Sequence, residues 1–270
     1  MHAPPAIIDS DLLLMAYRSG IFPMADARDD PEIFWVEPRQ RAILPLDGFH
    51  LSHSLAKTLR RDRFRVTCNA AFAAVMQACA GPRRDAEETW ISRQIEASYV
   101  RLHELGHAHS IECWRDDEMV GGLYGVGFDA VFCGESMFST ATDASKVALA
   151  WLVAAMRRGG MKLLDCQFIT PHLASLGAIE ISQKAYLKAL KAAQRPLSGD
   201  AEGLAEGLTA GLDEGLGLAS AEAEALGEAS GDGEALALPA AFGALLADAA
   251  AAGSSSSPGN FIAQSLTQTS

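Results

Sequence analysis

The chain has no lysine or arginine after Arg195, no C-x-x-C pair, and no apolar run near the roughly 18 residues that a membrane span requires. Each absence excludes something. The five cysteines, Cys68, Cys79, Cys113, Cys133 and Cys166, form an odd and scattered set. That set fits reduced thiols rather than a disulfide framework or a zinc ribbon. The start, MHAPPAIIDSDLLLMAY, lacks a basic stretch leading into a long apolar one, so it does not read as a signal peptide. The expectation is a cytoplasmic protein with no membrane association.

The missing cations after Arg195 also correct the net charge. Asp200, Glu202, Glu206, Asp213, Glu214, Glu222, Glu224, Glu228, Asp232, Glu234 and Asp248 carry eleven negative charges. Removing these eleven from the net charge of −12 leaves about −1 for residues 1–195. A near-neutral body can hold a local basic patch, so a nucleic-acid partner stays open. Residues 196–270 are rich in Ala, Gly, Glu, Leu and Ser and poor in aromatic and β-branched side chains. Too little apolar surface is available there to offset the entropy of ordering, and a disordered acidic tail is expected.

At 270 residues the chain can bury one substantial core or two modest ones. Helices are expected in DSDLLLMAYRSG (capped by Asp9 or Ser10), FHLSHSLAKTLRR, NAAFAAVMQACAG, SRQIEASYVRLHELG and QKAYLKALKAA. Another is expected in ASKVALAWLVAAMRRG, capped by Thr142 or Asp143. FRVTCN and MKLLDCQF read as strands. The stretch from His109 to Phe138 reads as a three-stranded meander turning near Asp116 and Asp129. Helices, then antiparallel strands, then helix, strand and helix make an α+β order.

Two stretches carry the chemistry. VFCGESMFSTATDASK presents Glu135 beside Met137 and Phe138, and about twenty residues later MKLLDCQF delivers Asp165 and Gln167 at the end of an apolar run. Two carboxylates and an amide beside apolar side chains suit polar chemistry on a substrate with an apolar group. Leu123, Phe132, Met137, Leu149, Leu152 and Leu164 are the pocket candidates; generic core packing accounts for such residues equally well. HELGH, from His103 to His107, matches the zinc-protease word, but Gly106 places the second histidine at a helix end and favours a C-cap. No metal site is expected. GGLYGVG lies within a strand pattern, so its glycines mark a bulge or a close approach rather than a dinucleotide loop. Cys166 has no adjacent His or Lys to activate it and reads as a small buried hydrophobe. HLSHSLAKTLRRDRFR is the one basic stretch, with His53, Lys57 and Arg61 recurring every four residues as one helical stripe. Trp35 and Trp90 are candidates for stacking on a base, core packing being the plainer alternative.

CGESMFS, DASK, LLDCQ and HLASLGA, with LHELGHAHSIE and GGLYGV upstream, resemble the leucyl/phenylalanyl-tRNA–protein transferase family over roughly residues 11–190. The resemblance implies a small N-terminal domain (1–62) and an N-acetyltransferase-like (GNAT-like) mixed-sheet domain (63–195), with the tail at 196–270. It also implies transfer of leucine or phenylalanine from Leu-tRNA or Phe-tRNA to the α-amine of proteins beginning with Arg or Lys, which tags them for degradation. No cofactor is implied, since the reaction is aminolysis of an activated ester. In this scheme Asp165 orients the acceptor amine and accepts or supports its proton. Gln167 holds the amine or ester, and Glu135 binds an ammonium or a basic side chain. The basic stripe contacts the tRNA acceptor stem. His53 stands where the family often has arginine, and Met24 where it commonly has the tryptophan of a GIFPW turn. An acyl-CoA-dependent N-acetyltransferase and a non-catalytic tRNA or degron adaptor are the alternatives; STATDASK lacks the glycine-rich loop the first would use. A monomer is expected.

Overall fold

The computed structural model describes residues 6–81, 89–195, 235–252 and 257–267. Helix α1 (Ser10–Arg18) starts where Asp9 accepts the backbone N–H groups of Asp11 and Leu12 at 3.0 Å each. A hairpin of β1 (Phe22–Met24) and β2 (Phe34–Val36) follows as a separate two-stranded sheet. The chain continues through β3 (Gln40–Ile43), α2 (His53–Arg60), β4 (Arg65–Cys68), α3 (Phe72–Cys79) and α4 (Arg93–Glu104). The expected meander is β5 (Ala108–Arg115), β6 (Glu118–Phe128) and β7 (Val131–Ser139). Its turns fall at Asp116 and Asp129, both left-handed with φ of 54° and 48°. Aspartate tolerates that conformation because its side chain bonds locally.

After α5 (Ala144–Arg158) come β8 (Leu163–Gln167), the short α6 (Pro171–Ala174), β9 (Ile179–Ser182) and α7 (Gln183–Ala193). The main sheet has seven strands in the order β4-β5-β6-β7-β8-β3-β9, and only β7 and β8 run parallel. The fold is therefore α+β with a mixed sheet. One apolar core joins the sheet to α2 and α5; a second, on the other face, gathers α1, α3, α4 and α7.

The expected cap of α5 departs in detail. Asp143 occupies the N-cap position with φ 70° and makes no side-chain bond to the helix N–H groups. Its carboxylate meets Lys146 at 3.2 Å and accepts the Thr58 hydroxyl at 3.4 Å.

Two expectations about organisation need restating. The stretch expected to be disordered contains two helices, α8 (Leu238–Ala251) and α9 (Pro258–Ser265), while residues 196–234 lie outside the described residues. The physical reason lies in α5, where twelve of fifteen residues are buried. A helix buried almost all round needs a layer on each side. The sheet supplies one. Leu238, Ala241, Phe242 and Leu245 of α8, at helical spacing, supply the other, with the Phe242 ring tilted 35° against Trp151 at 5.4 Å between centroids. The second point concerns residue 62. β3 sits in the sheet between β8 and β9, and α2 packs on α5, so the sheet layer runs across that position.

Candidate active site

The site forms where two parallel strands part. β7 and β8 pair only from Val131↔Leu163 to Cys133↔Asp165, after which β7 runs on to Ser139 paired with β6 alone. The opposite edge of β7 carries a bulge. Tyr124 pairs with Ser136 and Gly125 with Gly134, which leaves Glu135 without a partner on β6. A bulge re-aims the extra residue's side chain, and here it turns a carboxylate into the gap. Gly125 makes the bulge possible: a Cβ there would lie 2.2 Å from the Cys133 carbonyl oxygen.

Asp165, fully buried, is held on all sides. Arg41 of β3 donates from Nε to Oδ1 at 2.9 Å and from Nη2 to Oδ2 at 2.6 Å. Tyr186 of α7 donates to Oδ2 at 2.9 Å, and the backbone N–H of Gln167 donates to Oδ1 at 2.8 Å. Arg41 lies between the rings of Phe22 and Tyr186, 4.6 and 4.5 Å from their centroids, and its Nη1 reaches the Gly20 carbonyl. Burial opposes the charge on Arg41, but Asp165 outweighs it and raises the guanidinium pKa. The last Asp165 bond sets Gln167 in a left-handed conformation, φ 60°, at the end of β8. A glutamine there costs about 1–2 kcal/mol, so the Arg41–Asp165 lock directs the amide side chain by over-determining its backbone.

Glu135 is buried next to Tyr99 and Tyr17. Tyr99 donates to its Oε2 at 3.3 Å, and Tyr17 hydrogen-bonds Tyr99 behind it. Burial pushes the Glu135 carboxyl up to about 7, with Tyr17 and Gln167 acting against the rise and Asp165 adding to it. Burial and the Glu135 charge likewise raise the hydroxyl pKa values of Tyr17 and Tyr99, which stay neutral donors. Among the described residues, Glu135 Oε1 and Gln167 Nε2 are buried without a hydrogen-bond partner. The amide stands near the carboxylate without completing a bond, so an acceptor and a donor remain uncommitted side by side.

Both residues line a cavity of about 260 Å³. Leu123, Met137, Leu149, Leu152 and Leu164 form its apolar wall, with Trp90, Thr170, His172 and Phe168 also around it. Phe132 does not line it. That ring is fully buried beneath the bulge, where it would clash with any Cβ at Gly125. A chamber of this size suits one large side chain and closes on it with few polar atoms.

Family profiles match two stretches: residues 7–39 match the leucyl/phenylalanyl-tRNA protein transferase N-terminal domain, and residues 43–191 match leucyl/phenylalanyl-tRNA protein transferase. The chain belongs to the leucyl/phenylalanyl-tRNA–protein transferase family. It is 64% identical over 266 residues to a leucyl/phenylalanyl-tRNA–protein transferase of Novosphingobium aromaticivorans, covering 98% of each chain. Proteins of the same description from Zymomonas mobilis and from a Ruegeria species are 58% and 57% identical, over 73% and 69% of this chain. Membership makes the protein an aminoacyltransferase.

Within this transferase the remaining candidates fall in two places. Met24 ends β1, partly buried against the α1–α4 core, one residue before Ala25, whose N–H donates to the Trp90 carbonyl at 3.2 Å. The small hairpin thus borders the cavity through Trp90. Trp35 stands exposed on β2. His53 and Lys57 on α2 and Arg61 at its C-cap are all exposed and lie outside the cavity, on a helix whose inner face packs against α5. The HELGH word ends a helix: α4 stops at Glu104, Gly106 turns with φ 84°, and His103 bonds the Ala108 carbonyl at 2.8 Å. Cys166 lines the cavity, but burial raises its thiol pKa far from any reactive range.

Reading the sequence did not single out Arg41, Tyr186, Tyr17 or Tyr99. A lone arginine inside the apolar-flanked QRAIL segment was the available signal for the first. The tyrosines had none, because their hydroxyls converge from α1, α4 and α7.

Proposed function

We propose that this transferase moves leucine or phenylalanine from aminoacyl-tRNA to the N-terminal α-amine of proteins that begin with Arg or Lys. The observation that carries this reading is the apolar cavity that ends at an uncommitted amide donor and a buried carboxylate. Leu123, Met137, Leu149, Leu152 and Leu164 receive the side chain of the transferred residue. Gln167 Nε2 donates to the ester carbonyl oxygen as negative charge develops on it. Glu135 faces the incoming amine. The neutral amine nitrogen attacks the carbonyl carbon, a C–N bond forms and the ester C–O bond to the ribose breaks. Glu135, when ionised, takes the proton the amine loses and hands it to the departing ribose oxygen, which leaves as a hydroxyl. The acceptor's α-amine, with an ordinary pKa of roughly 7.7–8.0, is partly neutral near pH 7.5. An activated ester needs no metal, nucleotide or coenzyme A for this step.

Asp165 has the acceptor positions of both oxygens filled, so its role is to orient Gln167 and support the site's charge balance rather than to take the proton. His53, Lys57 and Arg61 contact phosphates of the acceptor stem. Trp90, which lines the cavity, and Met24, on the hairpin beside it, meet the terminal nucleotides. The protein works as a monomer in the cytoplasm, and its product is marked for degradation.

The deciding experiment is transfer of radiolabelled leucine from Leu-tRNA to an Arg-initiated peptide, with EDTA present and no coenzyme A. Label in the peptide, absent when the peptide begins with acetylated Arg, is the expected result. Folded protein and intact Leu-tRNA that give no labelled peptide would overturn the reading.

A further inference from the structure

α2 is gripped from two directions. Near its middle the Thr58 hydroxyl bonds Asp143 at the start of α5, at 3.4 Å. Just past its end Asp62, in a left-handed conformation, accepts the backbone N–H of Gly259 at 2.7 Å. α9 approaches so closely that a Cβ on Gly259 would lie 2.1 Å from the Leu59 carbonyl oxygen. α9 is itself anchored by buried Ile262, Ala263 and Leu266 and by Arg157, which donates to the Ser265 carbonyl at 3.2 Å. α8 is pinned by the Leu236 N–H on the Gly159 carbonyl at 2.8 Å and by the Arg158–Asp248 ion pair. Both helices lie beyond residue 191, where the transferase profile ends.

Asp62 is the one carboxylate among Arg60, Arg61 and Arg63. The first turn of α9 aims the Gly259 N–H at it, and the positive end of the helix dipole draws its charge away from the basic stripe. An eight-residue helix such as α2 does not hold itself in water, so its direction is set by what it packs on. We infer that α8 and α9 form a C-terminal clamp that fixes α2, and that Gly259 and Asp62 are positioning residues for the contact between the His53, Lys57 and Arg61 stripe and tRNA phosphates. This rests on the reading of that stripe given under Proposed function.

The sign of one substitution separates the clamp from simple charge. Removing the Asp62 side chain, charge and acceptor oxygen together, should tighten tRNA binding if only electrostatics act, and weaken it if the clamp acts. The full-length protein, Gly259→Val, Asp62→Gly and Asp62→Asn are compared with two donors, Leu-tRNA and leucyl-adenosine, which lacks the acceptor stem. Gly259→Val and Asp62→Gly are expected to raise KM for Leu-tRNA roughly tenfold, the usual scale of coupling between two sites. In both, kcat and all constants for leucyl-adenosine stay unchanged, and the salt slope of log KM falls by about 1. Asp62→Asn, which keeps an acceptor oxygen and tolerates the left-handed backbone, behaves as wild type. An unchanged or lower KM for Leu-tRNA in Asp62→Gly, or an equal loss with both donors, overturns the clamp. If Gly259→Val fails to fold, the Asp62 pair decides. A wild type inactive with both donors would refute the transferase reading alone, because direct tRNA binding by wild type and Asp62→Gly still tests the clamp.

Discussion

Arg41 Nε and Nη2 contact both carboxylate oxygens of Asp165, at 2.9 and 2.6 Å, inside the sheet and away from solvent. The pair joins β3 to β8 and, through the Gln167 N–H, sets the amide at the cavity. Arg41→Met or Asp165→Asn leaves one buried charge uncompensated, a loss of about 3–5 kcal/mol. Urea unfolding checks the value. A free catalytic base would leave stability near wild type when neutralised, so the size of the loss tells the two roles apart.

Gln167→Ala should separate activity from stability. Its Nε2 makes no hydrogen bond among the described residues, and alanine at φ 60° carries the same left-handed backbone cost that the glutamine already carries. Turnover is expected to fall about 10²-fold, with KM little changed, as for loss of a bond made mainly in the transition state. Steady-state kinetics on Leu-tRNA would decide it, and a near-wild-type kcat would remove Gln167 from the chemistry.

Glu135 makes stability depend on pH. Its carboxyl titrates at about 7 in the folded protein against 4.5 ordinarily. Between those values the folded state keeps a proton that the unfolded chain has released, so stability falls as pH rises from about 4.5 to about 7. Above that the full penalty of about 3 kcal/mol remains. Glu135→Gln lacks this dependence. The difference between variant and wild type, from unfolding at pH 4 and pH 8, should therefore move in the variant's favour at pH 8; a constant difference would contradict the assignment.

Gly125→Ala is expected to cost at least the 1–3 kcal/mol typical of overpacking, about that range or more given the backbone oxygen in the way. Because the bulge aims Glu135, activity should fall further than stability alone explains. Residual activity at a temperature where the variant remains folded measures this.

Filling the cavity should change selectivity. Leu152→Phe narrows the chamber and is expected to disfavour phenylalanine against leucine by about 10- to 200-fold in kcat/KM, the worth of roughly one methylene-scale clash in an apolar pocket. Competition between Leu-tRNA and Phe-tRNA reads the ratio directly.

Much of this was legible because local chemistry and tertiary outcome agree. Asp9 caps α1, Asp116 and Asp129 turn the meander, and the glycines of GGLYGVG mark a bulge. β3 and β9 were not legible, since four residues are too few to show alternation and Pro38 and Pro45 flank the first of them. α8 and α9 were hidden by Ala- and Gly-rich composition, although an α5 apolar on every face already called for a second cover. Five of the six pocket candidates line the cavity; Phe132 shares their core but is enclosed against Gly125, on the β8-paired side of the bulge.

By itself the sequence determined which residues carry reactive groups, where helices cap and strands turn, and the family to which those words belong. These depend on side chains within a few residues of one another. Only the tertiary structure decided that Asp165 is occupied by Arg41 and Tyr186, that Glu135 titrates near neutrality, and that the chain's end returns to hold α2. Burial and pairing between residues more than a hundred positions apart are set by how the sheet is assembled.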